Sequence, residues 1–231
     1  QIVYDRTNSS IAEIQAGEIN WEEILKDAKW FHWAGITPAL SQGAADTLLE
    51  GIQVARKYGL TVSGDIFYRA NLWKYGKKPS EILPELTAGT DIVIANKENI
   101  LEIFGIEGQD FVEASQNLQK AFPQVSKVID TKRTSLSASH NLLRAYMWNG
   151  AELLETRDVD INPIIDRVGG GDAFIAGLIH GLITMNDDQK ALEFGVAASA
   201  LKHTIEGDAL ISTVEEVETI RQGETSGRIK R

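Results

Sequence analysis

Three consecutive glycines and an aspartate stand at the mouth of a long apolar run, in the stretch DRVGGGDAFIAGLIHGL at residues 166–182. Glycine permits positive φ and lets the backbone approach a ligand closely. If the apolar run is a helix, its first N–H groups and the positive end of its dipole form an anion site. Asp172 would repel a bound phosphate unless it had a further task, such as accepting a proton from an attacking hydroxyl. Gly169, Gly170, Gly171 and Asp172 are therefore candidates for phosphoryl transfer.

Other interpretations of this stretch stay open at this point. A glycine-rich turn with Asp172 in the first helical turn, where a carboxylate favours the helix dipole, explains the same residues without any ligand. The sequence contains no GxxxxGK[ST] loop, and GGG does not match the GxGxxG dinucleotide fingerprint. An NAD-dependent dehydrogenase is therefore disfavoured.

Composition restricts the classes of function. The 231 residues are 43% apolar, which suffices for one core, and we expect a single domain over residues 1–231. Because 23 Lys and Arg stand against 33 Asp and Glu, the net charge is −10, which disfavours nucleic acid and anionic membranes as partners. There is no cysteine, and neither a signal peptide nor an apolar run of membrane-spanning length is evident. A cytoplasmic location is expected.

The apolar pattern predicts strands that alternate with helices. Strands are expected at residues 28–35, 60–67, 91–96 and 125–130, with helices at 41–59, 79–86, 110–123, 171–182, 188–203 and from 213. Asn149-Gly150 between two apolar runs predicts an antiparallel hairpin at one side. The prediction is an α/β fold of three layers, a mostly parallel, Rossmann-like sheet with helices on both faces. Ligands bind beyond the carboxyl ends of such strands.

Helix starts are marked by side chains that can cap them. Ser41 is a candidate N-cap, and two capping boxes are predicted, at Asn20 with Glu23 and at Ser212 with Glu215. These caps fix where three of the helices begin.

The stretch at 166–172 resembles the D-x-x-G-A/G-G-D signature of ribokinase-like sugar kinases, the pfkB group. GDIFYRANLWKYG (64–76) resembles the D-x-N-x-R-x-x-L-W stretch of 2-keto-3-deoxygluconate kinases. VYDR (3–6), HTIEGD (203–208) and the tail SGRIKR are also similar to that subfamily, so the resemblance covers the whole chain. It implies a ribokinase-like fold and ATP-dependent phosphorylation of the terminal hydroxyl of 2-keto-3-deoxygluconate. The alternatives are another pfkB-type sugar kinase, fructokinase-like or ribokinase-like, and a catalytically silent nucleotide- or sugar-binding fragment.

The resemblance also implies roles for individual residues. Asp172 would be the catalytic base, and Gly169, Gly170 and Gly171 would hold the transferred phosphoryl group. The residues expected to bind the sugar acid are Tyr4, Arg6, Tyr68, Arg69, Asp166 and Arg167. Those expected to bind ATP are Thr131, Arg133, Gly169, Gly171, Ala198, Gly207 and Asp208. Asn96 and Glu98 are weak candidates for Mg²⁺, and a monovalent cation and a homo-oligomer are left open.

Three departures from the family pattern bear on these expectations. Asn99 stands where the N-x-x-E stretch of the family has an acid, which would weaken magnesium binding. Phe67 replaces the polar asparagine of D-x-N-x-R, so one hydrogen bond to substrate would be lost. The family's N-terminal segment, with much of its lid, has no counterpart before Gln1, so we expect an N-terminally incomplete domain.

Overall fold

The computed structural model describes residues 6, 8–67 and 71–223. The chain divides into two compact units, one that ends at Ile129 and one that begins at Asp130. The single domain expected over residues 1–231 stays a prediction.

The first unit alternates strands and helices, as the apolar pattern predicts. Its described helices are α1 (Ser10–Glu13), α2 (Trp21–Leu25), α3 (Gln42–Lys57), α4 (Pro79–Ala88), α5 (Lys97–Phe104) and α6 (Phe111–Ala121). Its strands are β1 (Trp30–Ala34), β2 (Thr61–Asp65), β3 (Ile92–Ile94) and the first residues of β4 (Lys127–Ser137). The strands pair in parallel in the order β1-β2-β3-β4.

The core of the first unit lies on both faces of these parallel strands. Val62, Val93 and Val128 occupy three neighbouring strands and are fully buried. The helix starts follow the predicted caps, since Ser41 Oγ accepts the N–H of Ala44 (3.1 Å) and Asn20 Oδ1 accepts a backbone N–H in α2 (3.2 Å). Consecutive buried residues in a central strand, such as Ile92–Ile94, are typical of a parallel sheet that is covered on both faces.

The second unit contains the antiparallel strands and the remaining helices of the described chain. Its elements are the rest of β4, β5 (His140–Trp148), β6 (Leu153–Glu155), β7 (Val159–Ile161), α7 (Gly170–Thr184), α8 (Asp188–Lys202) and α9 (Val214–Arg221). Strand β5 pairs antiparallel with β6 around Asn149-Gly150, which confirms the predicted hairpin. It also pairs antiparallel with β7. Together with the parallel strands of the first unit, this confirms the α/β fold class.

Among the element boundaries that differ from the sequence-based prediction, two have a clear physical cause. Strand β4 continues to Ser137 rather than ending at 130, because a polar, exposed continuation gives no apolar pattern to follow. Helix α9 is capped by Thr213, not Ser212. The Thr213 hydroxyl accepts the N–H of Glu216 (3.2 Å), and the Glu216 carboxylate accepts the N–H of Thr213 (2.8 Å). The same S/T-x-x-E spacing fits both positions, so the sequence pattern allowed the one-residue shift.

Helices α7 and α8 pack closely because glycines on α7 face alanines on α8. A Cβ on Gly177 would lie 2.7 Å from the Cβ of Ala198, and one on Gly181 would lie 2.6 Å from the Cα of Ala191. Part of the apolar run that follows Gly171 is buried here, with Phe174 3% exposed. Within residues 6, 8–67 and 71–223, none of the helices combines the length and apolar character needed to cross a membrane.

Candidate active site

The glycine stretch forms the N-terminus of α7 and lies against two other parts of the second unit. Gly169 is the N-cap with φ +79°, and a Cβ there would lie 1.7 Å from the carbonyl oxygen of Asp208. A Cβ on Gly170 would lie 2.5 Å from Cε1 of His203, whereas one on Gly171 would meet only open space. The first two glycines are therefore required by the fold, and the third presents bare backbone to solvent.

Two backbone donors at this helix start have no acceptor among the described residues. Gly170 N–H points to the carbonyl of Arg167 at 3.4 Å, and Ala173 N–H bonds the carbonyl of Gly169 at 2.8 Å. Between them, the N–H groups of Gly171 and Asp172 are unpaired within the described part of the chain. The exposed carboxylate of Asp172 lies in this first turn. Free donors and the helix dipole suit an anion, and the carboxylate beside them suits a proton acceptor.

Asp166 ties the loop before α7 to the turn that contains Gly207. One carboxylate oxygen accepts the N–H of Val168 (2.9 Å), and the other accepts the N–H of Gly207 (3.0 Å). These two hydrogen bonds, first that of Val168, lower the pKa of Asp166. Both carboxylate oxygens of Asp166 therefore accept hydrogen bonds from the protein's own backbone, and the expected contact of Asp166 with the sugar acid stays a prediction. The turn brings Gly207 and Asp208 beside Gly169, which agrees with a shared site, while their contacts to ATP stay a prediction.

Residues at the C-terminal end of α8 form hydrogen bonds with the loop that precedes α7. Ser199 Oγ donates to the carbonyl of Gly170 (2.8 Å), and the Nδ1–H of His203 donates to the carbonyl of Ser199 (2.7 Å). The carbonyl of His203 accepts the N–H groups of Ile165 (2.8 Å) and Asp166 (3.2 Å). Sequence reasoning did not identify Ser199 or His203 as part of the site.

Burial favours the neutral form of the His203 imidazole. It is only 5% exposed, and this burial lowers its pKa. The positive charges of Lys202, Arg133 and Arg167 lower it further. The hydrogen bond to the Ser199 carbonyl acts in the opposite direction, but burial is the largest of these effects, so the pKa of His203 is lowered.

Three further residues that are expected to contact substrate or phosphate, Arg167 and the β4 residues Thr131 and Arg133, differ in exposure and in hydrogen bonding. The Arg167 guanidinium is exposed and donates through Nη2 to the carbonyl of Ala138, in the turn between β4 and β5. Nη1 is 3.3 Å from Asn141, whose amide oxygen accepts from it in the orientation that satisfies both groups. Thr131 is half-buried and Arg133 is exposed, both on β4. Their proposed contacts with phosphate, and that of Arg167 with substrate, stay predictions.

Ala198 has a packing role in this structure. It is 1% exposed and lies against Gly177 in the interface of α7 and α8. Its expected position beside adenine stays a prediction.

The predicted magnesium residues lie at the start of α5 in the first unit. Asn96 is the N-cap, and its Oδ1 accepts the N–H of Asn99 (2.7 Å), while Glu98 is exposed. The Oδ1 of Asn99 is buried without a partner among the described residues, which contain no cluster of three His, Asp or Glu able to hold a metal. Oxygen donors of this kind fit a Mg²⁺ that keeps its waters and is held mainly by nucleotide phosphates.

Several predicted substrate residues fall outside the described part of the chain. These are Tyr4, Tyr68 and Arg69. Arg6 is described, and its carbonyl accepts a hydrogen bond from the Ser9 hydroxyl (2.8 Å). Phe67 N–H donates to Asp65 Oδ1 (3.0 Å) at the end of β2. The roles of all four predicted residues stay predictions.

Comparison with known proteins decides the family. A family model described as "pfkB family carbohydrate kinase" matches residues 1–214. The chain belongs to the pfkB family of carbohydrate kinases. This pfkB membership confirms the resemblance in the 166–172 signature. It also confirms, at the level of the family, the expected enzyme class of phosphotransferase with an alcohol group as acceptor.

Relatives of this pfkB chain include kinases of deoxy sugar acids. It is 29% identical over 226 residues to the 2-dehydro-3-deoxygalactonokinase of Haloferax volcanii, covering 98% of this chain and 67% of that protein. It matches the crystal structure of the Thermotoga maritima 2-dehydro-3-deoxygluconokinase with a TM-score of 0.88 and 34% identity, covering 96% of this chain and 69% of that one.

A third relative differs in its named substrate. The ATP-dependent 6-phosphofructokinase of Thermoanaerobacterium thermosaccharolyticum is 27% identical over 198 residues, covering 86% of this chain. This chain spans 56% of the length of that kinase.

Proposed function

We propose that this protein transfers the γ-phosphoryl group of ATP to the terminal hydroxyl of 2-keto-3-deoxygluconate. The observation that carries the proposal is the pair of unpaired N–H groups at Gly171 and Asp172 beside the exposed Asp172 carboxylate. Donors and acceptor occupy one helical turn, which is what a transferring phosphoryl group and an attacking hydroxyl need.

The two functions of this turn are separate. The N–H groups of Gly171 and Asp172 would stabilise the charge on the transferred phosphoryl group in the transition state. The Asp172 carboxylate would orient the substrate hydroxyl and accept its proton as the new O–P bond forms. No described side chain competes for that carboxylate, so it is free to face a substrate.

ATP is the expected phosphoryl donor, and Mg²⁺ is the expected metal ion. The 6-phosphofructokinase relative is named as ATP-dependent, and the exposed Arg167 lies in the loop that leads into the free N–H groups of α7. When bound, Mg²⁺ would neutralise charge on the phosphates, and Asn96 and Glu98 are the residues of this chain that the family resemblance assigns to it. A monovalent cation stays a prediction.

The proposal that the substrate is a sugar acid is supported by two relatives whose names both contain 2-dehydro-3-deoxy. A carboxylate on the substrate also gives Arg6 and Arg69 a chemical partner, because a guanidinium fork matches a carboxylate in two-point contact. The 6-phosphofructokinase relative supports a second class of acceptor, a sugar phosphate, whose phosphate would use the same guanidinium groups.

A phosphorylation assay tests the proposal. Wild type and Asp172→Asn are compared with ATP and, in turn, 2-keto-3-deoxygluconate, 2-keto-3-deoxygalactonate, fructose 6-phosphate, fructose and ribose. We expect the highest kcat/KM with 2-keto-3-deoxygluconate and a loss of about 10²- to 10⁴-fold in kcat for Asp172→Asn. Binding of ATP without phosphorylation of any sugar would establish a silent binding module instead. A preference for fructose or its phosphate would overturn the sugar-acid assignment.

A further inference from the structure

Lys202 is a charged residue with no exposed surface. It is 0% exposed, and it is the largest of the fully buried side chains among the described residues. It lies in the last turn of α8, one residue before His203. Its Nζ donates to the carbonyl of Ile205 (3.1 Å) and is 3.5 Å from the carbonyl of Asp166. A buried ammonium is costly unless polar groups surround it, so its retention calls for a reason.

The two carbonyl groups belong to the two turns that build the candidate site. Asp166 begins the loop that leads into Gly169 and the start of α7. Ile205 begins the turn that leads to Gly207, whose N–H bonds the Asp166 carboxylate at 3.0 Å. The positive charge of Lys202 also acts on that carboxylate. One ammonium therefore joins both turns through their backbone oxygens and through the charge of Asp166.

We infer that Lys202 is a positioning residue whose ammonium acts as a built-in cation, holding the Asp166 and Ile205 turns so that the N–H groups of Gly171 and Asp172 stay aimed at the transferred phosphoryl group. This inference rests on the proposed kinase function. Lys202 does not touch the reacting atoms. It acts through the carbonyl of Asp166, and a small shift of that loop moves both free donors.

A merely space-filling lysine would behave differently. If the Lys202 side chain only fills space, methionine, which has a similar volume, should leave kcat unchanged. If the ammonium positions the loop, Lys202→Met leaves two carbonyl oxygens without their cation and releases the loop. Because a misplacement of about 1 Å costs up to about 10²-fold in rate, the loss appears in kcat.

The experiment compares Lys202→Met, Lys202→Gln and Lys202→Ala with wild type and with Lys190→Met. Lys190 is the matched control, since it lies on the same helix with its side chain 55% exposed. Three quantities are measured: kcat and KM for ATP and 2-keto-3-deoxygluconate, the melting temperature, and amide hydrogen exchange of the peptide covering 165–173. Rates are measured below the melting temperature of each variant. Turnover of Lys202→Ala is also measured in ammonium chloride and in sodium chloride of equal ionic strength.

We expect Lys202→Met to lower kcat by about 10²-fold, while KM for the sugar acid stays within about threefold of wild type. Exchange in 165–173 should accelerate in that variant and not in Lys190→Met. Ammonium should restore part of the turnover of Lys202→Ala, and sodium should restore less. If Lys202→Met does not fold, Lys202→Gln, which keeps an N–H donor without the charge, is judged by the same criteria.

Unchanged kcat in the folded neutral variants, or unchanged exchange in 165–173, would overturn the positioning role. The exchange measurement needs no substrate. If wild type itself fails to phosphorylate any sugar, the proposed function fails, and exchange still decides whether Lys202 holds the loop.

Discussion

The backbone of Gly169 lies directly against the carbonyl oxygen of Asp208, so closely that a Cβ at Gly169 would come within 1.7 Å of that oxygen. Gly169 also has φ +79°, a conformation that residues with a side chain adopt only with strain. This contact joins the start of α7 to the turn at 205–208. The two parts of the chain that are expected to meet ATP can therefore lie this close only because residue 169 has no side chain.

Gly169→Ala should both destabilise the protein and reduce turnover. The alanine methyl cannot fit against Asp208, and the positive φ adds strain, so we expect a loss of about 2–4 kcal/mol in the free energy of unfolding. Displacement of the loop should lower kcat as well. Denaturant unfolding and steady-state kinetics measure the two effects. A variant with wild-type stability would show that the close contact does not exist in solution.

Gly171→Ala provides the contrasting case in the same loop. A methyl group there meets nothing within 4 Å, and alanine is favoured over glycine in a helix by about 1 kcal/mol. The melting temperature should stay the same or rise. If the transferred phosphoryl group lies over this backbone, the methyl should still reduce kcat by at least about tenfold. Normal kcat in a stable Gly171→Ala protein would remove Gly171 from the anion site.

The sequence predicts local features of this molecule better than contacts between distant segments. The helix after Gly171, the Ser41 cap and the Asn149-Gly150 hairpin follow from turn chemistry and apolar spacing, and the structure confirms them. The contacts of Ser199 and His203 with the loop could not be predicted, because they depend on how α8 packs beside α7. The end of β4 was missed since exposed polar residues carry no periodicity.

Acidification should destabilise the protein through His203. Because burial lowers the pKa of His203 in the folded state, the unfolded chain takes up this proton at a higher pH than the folded chain. The stabilisation is therefore fully present above the ordinary histidine pKa of about 6.5 and is lost as the pH falls towards the folded-state pKa. One such group contributes a slope of at most about 1.4 kcal/mol per pH unit. The free energy of unfolding, measured between pH 7.5 and pH 5 (about the range in which histidine titrates), should fall less steeply in His203→Gln than in wild type. Equal slopes would show that His203 does not titrate with folding.

Ser199→Ala should loosen the support of the glycine loop without removing any group that faces the substrate. The Ser199 hydroxyl is buried and donates to the carbonyl of Gly170 at 2.8 Å. Loss of this hydrogen bond should lower the free energy of unfolding by about 1 kcal/mol. We expect a smaller fall in kcat than in Asp172→Asn and little change in KM for the sugar acid. Ser199→Thr keeps the hydroxyl and is the control for the hydrogen bond itself.

The packing of α7 on α8 can be tested by a pair of substitutions that exchange one methyl group. Gly177→Ala places its Cβ 2.7 Å from that of Ala198 and should cost about 1–3 kcal/mol by overpacking. Ala198→Gly makes room, so the double variant should be more stable than the sum of the two single changes predicts, with a coupling of at least about 0.5 kcal/mol. Additive effects would place the two residues out of contact. The same variants test the expected adenine contact of Ala198: if it lines the nucleotide site, Ala198→Gly should raise KM for ATP, whereas a purely packing role changes stability and leaves KM for ATP unchanged.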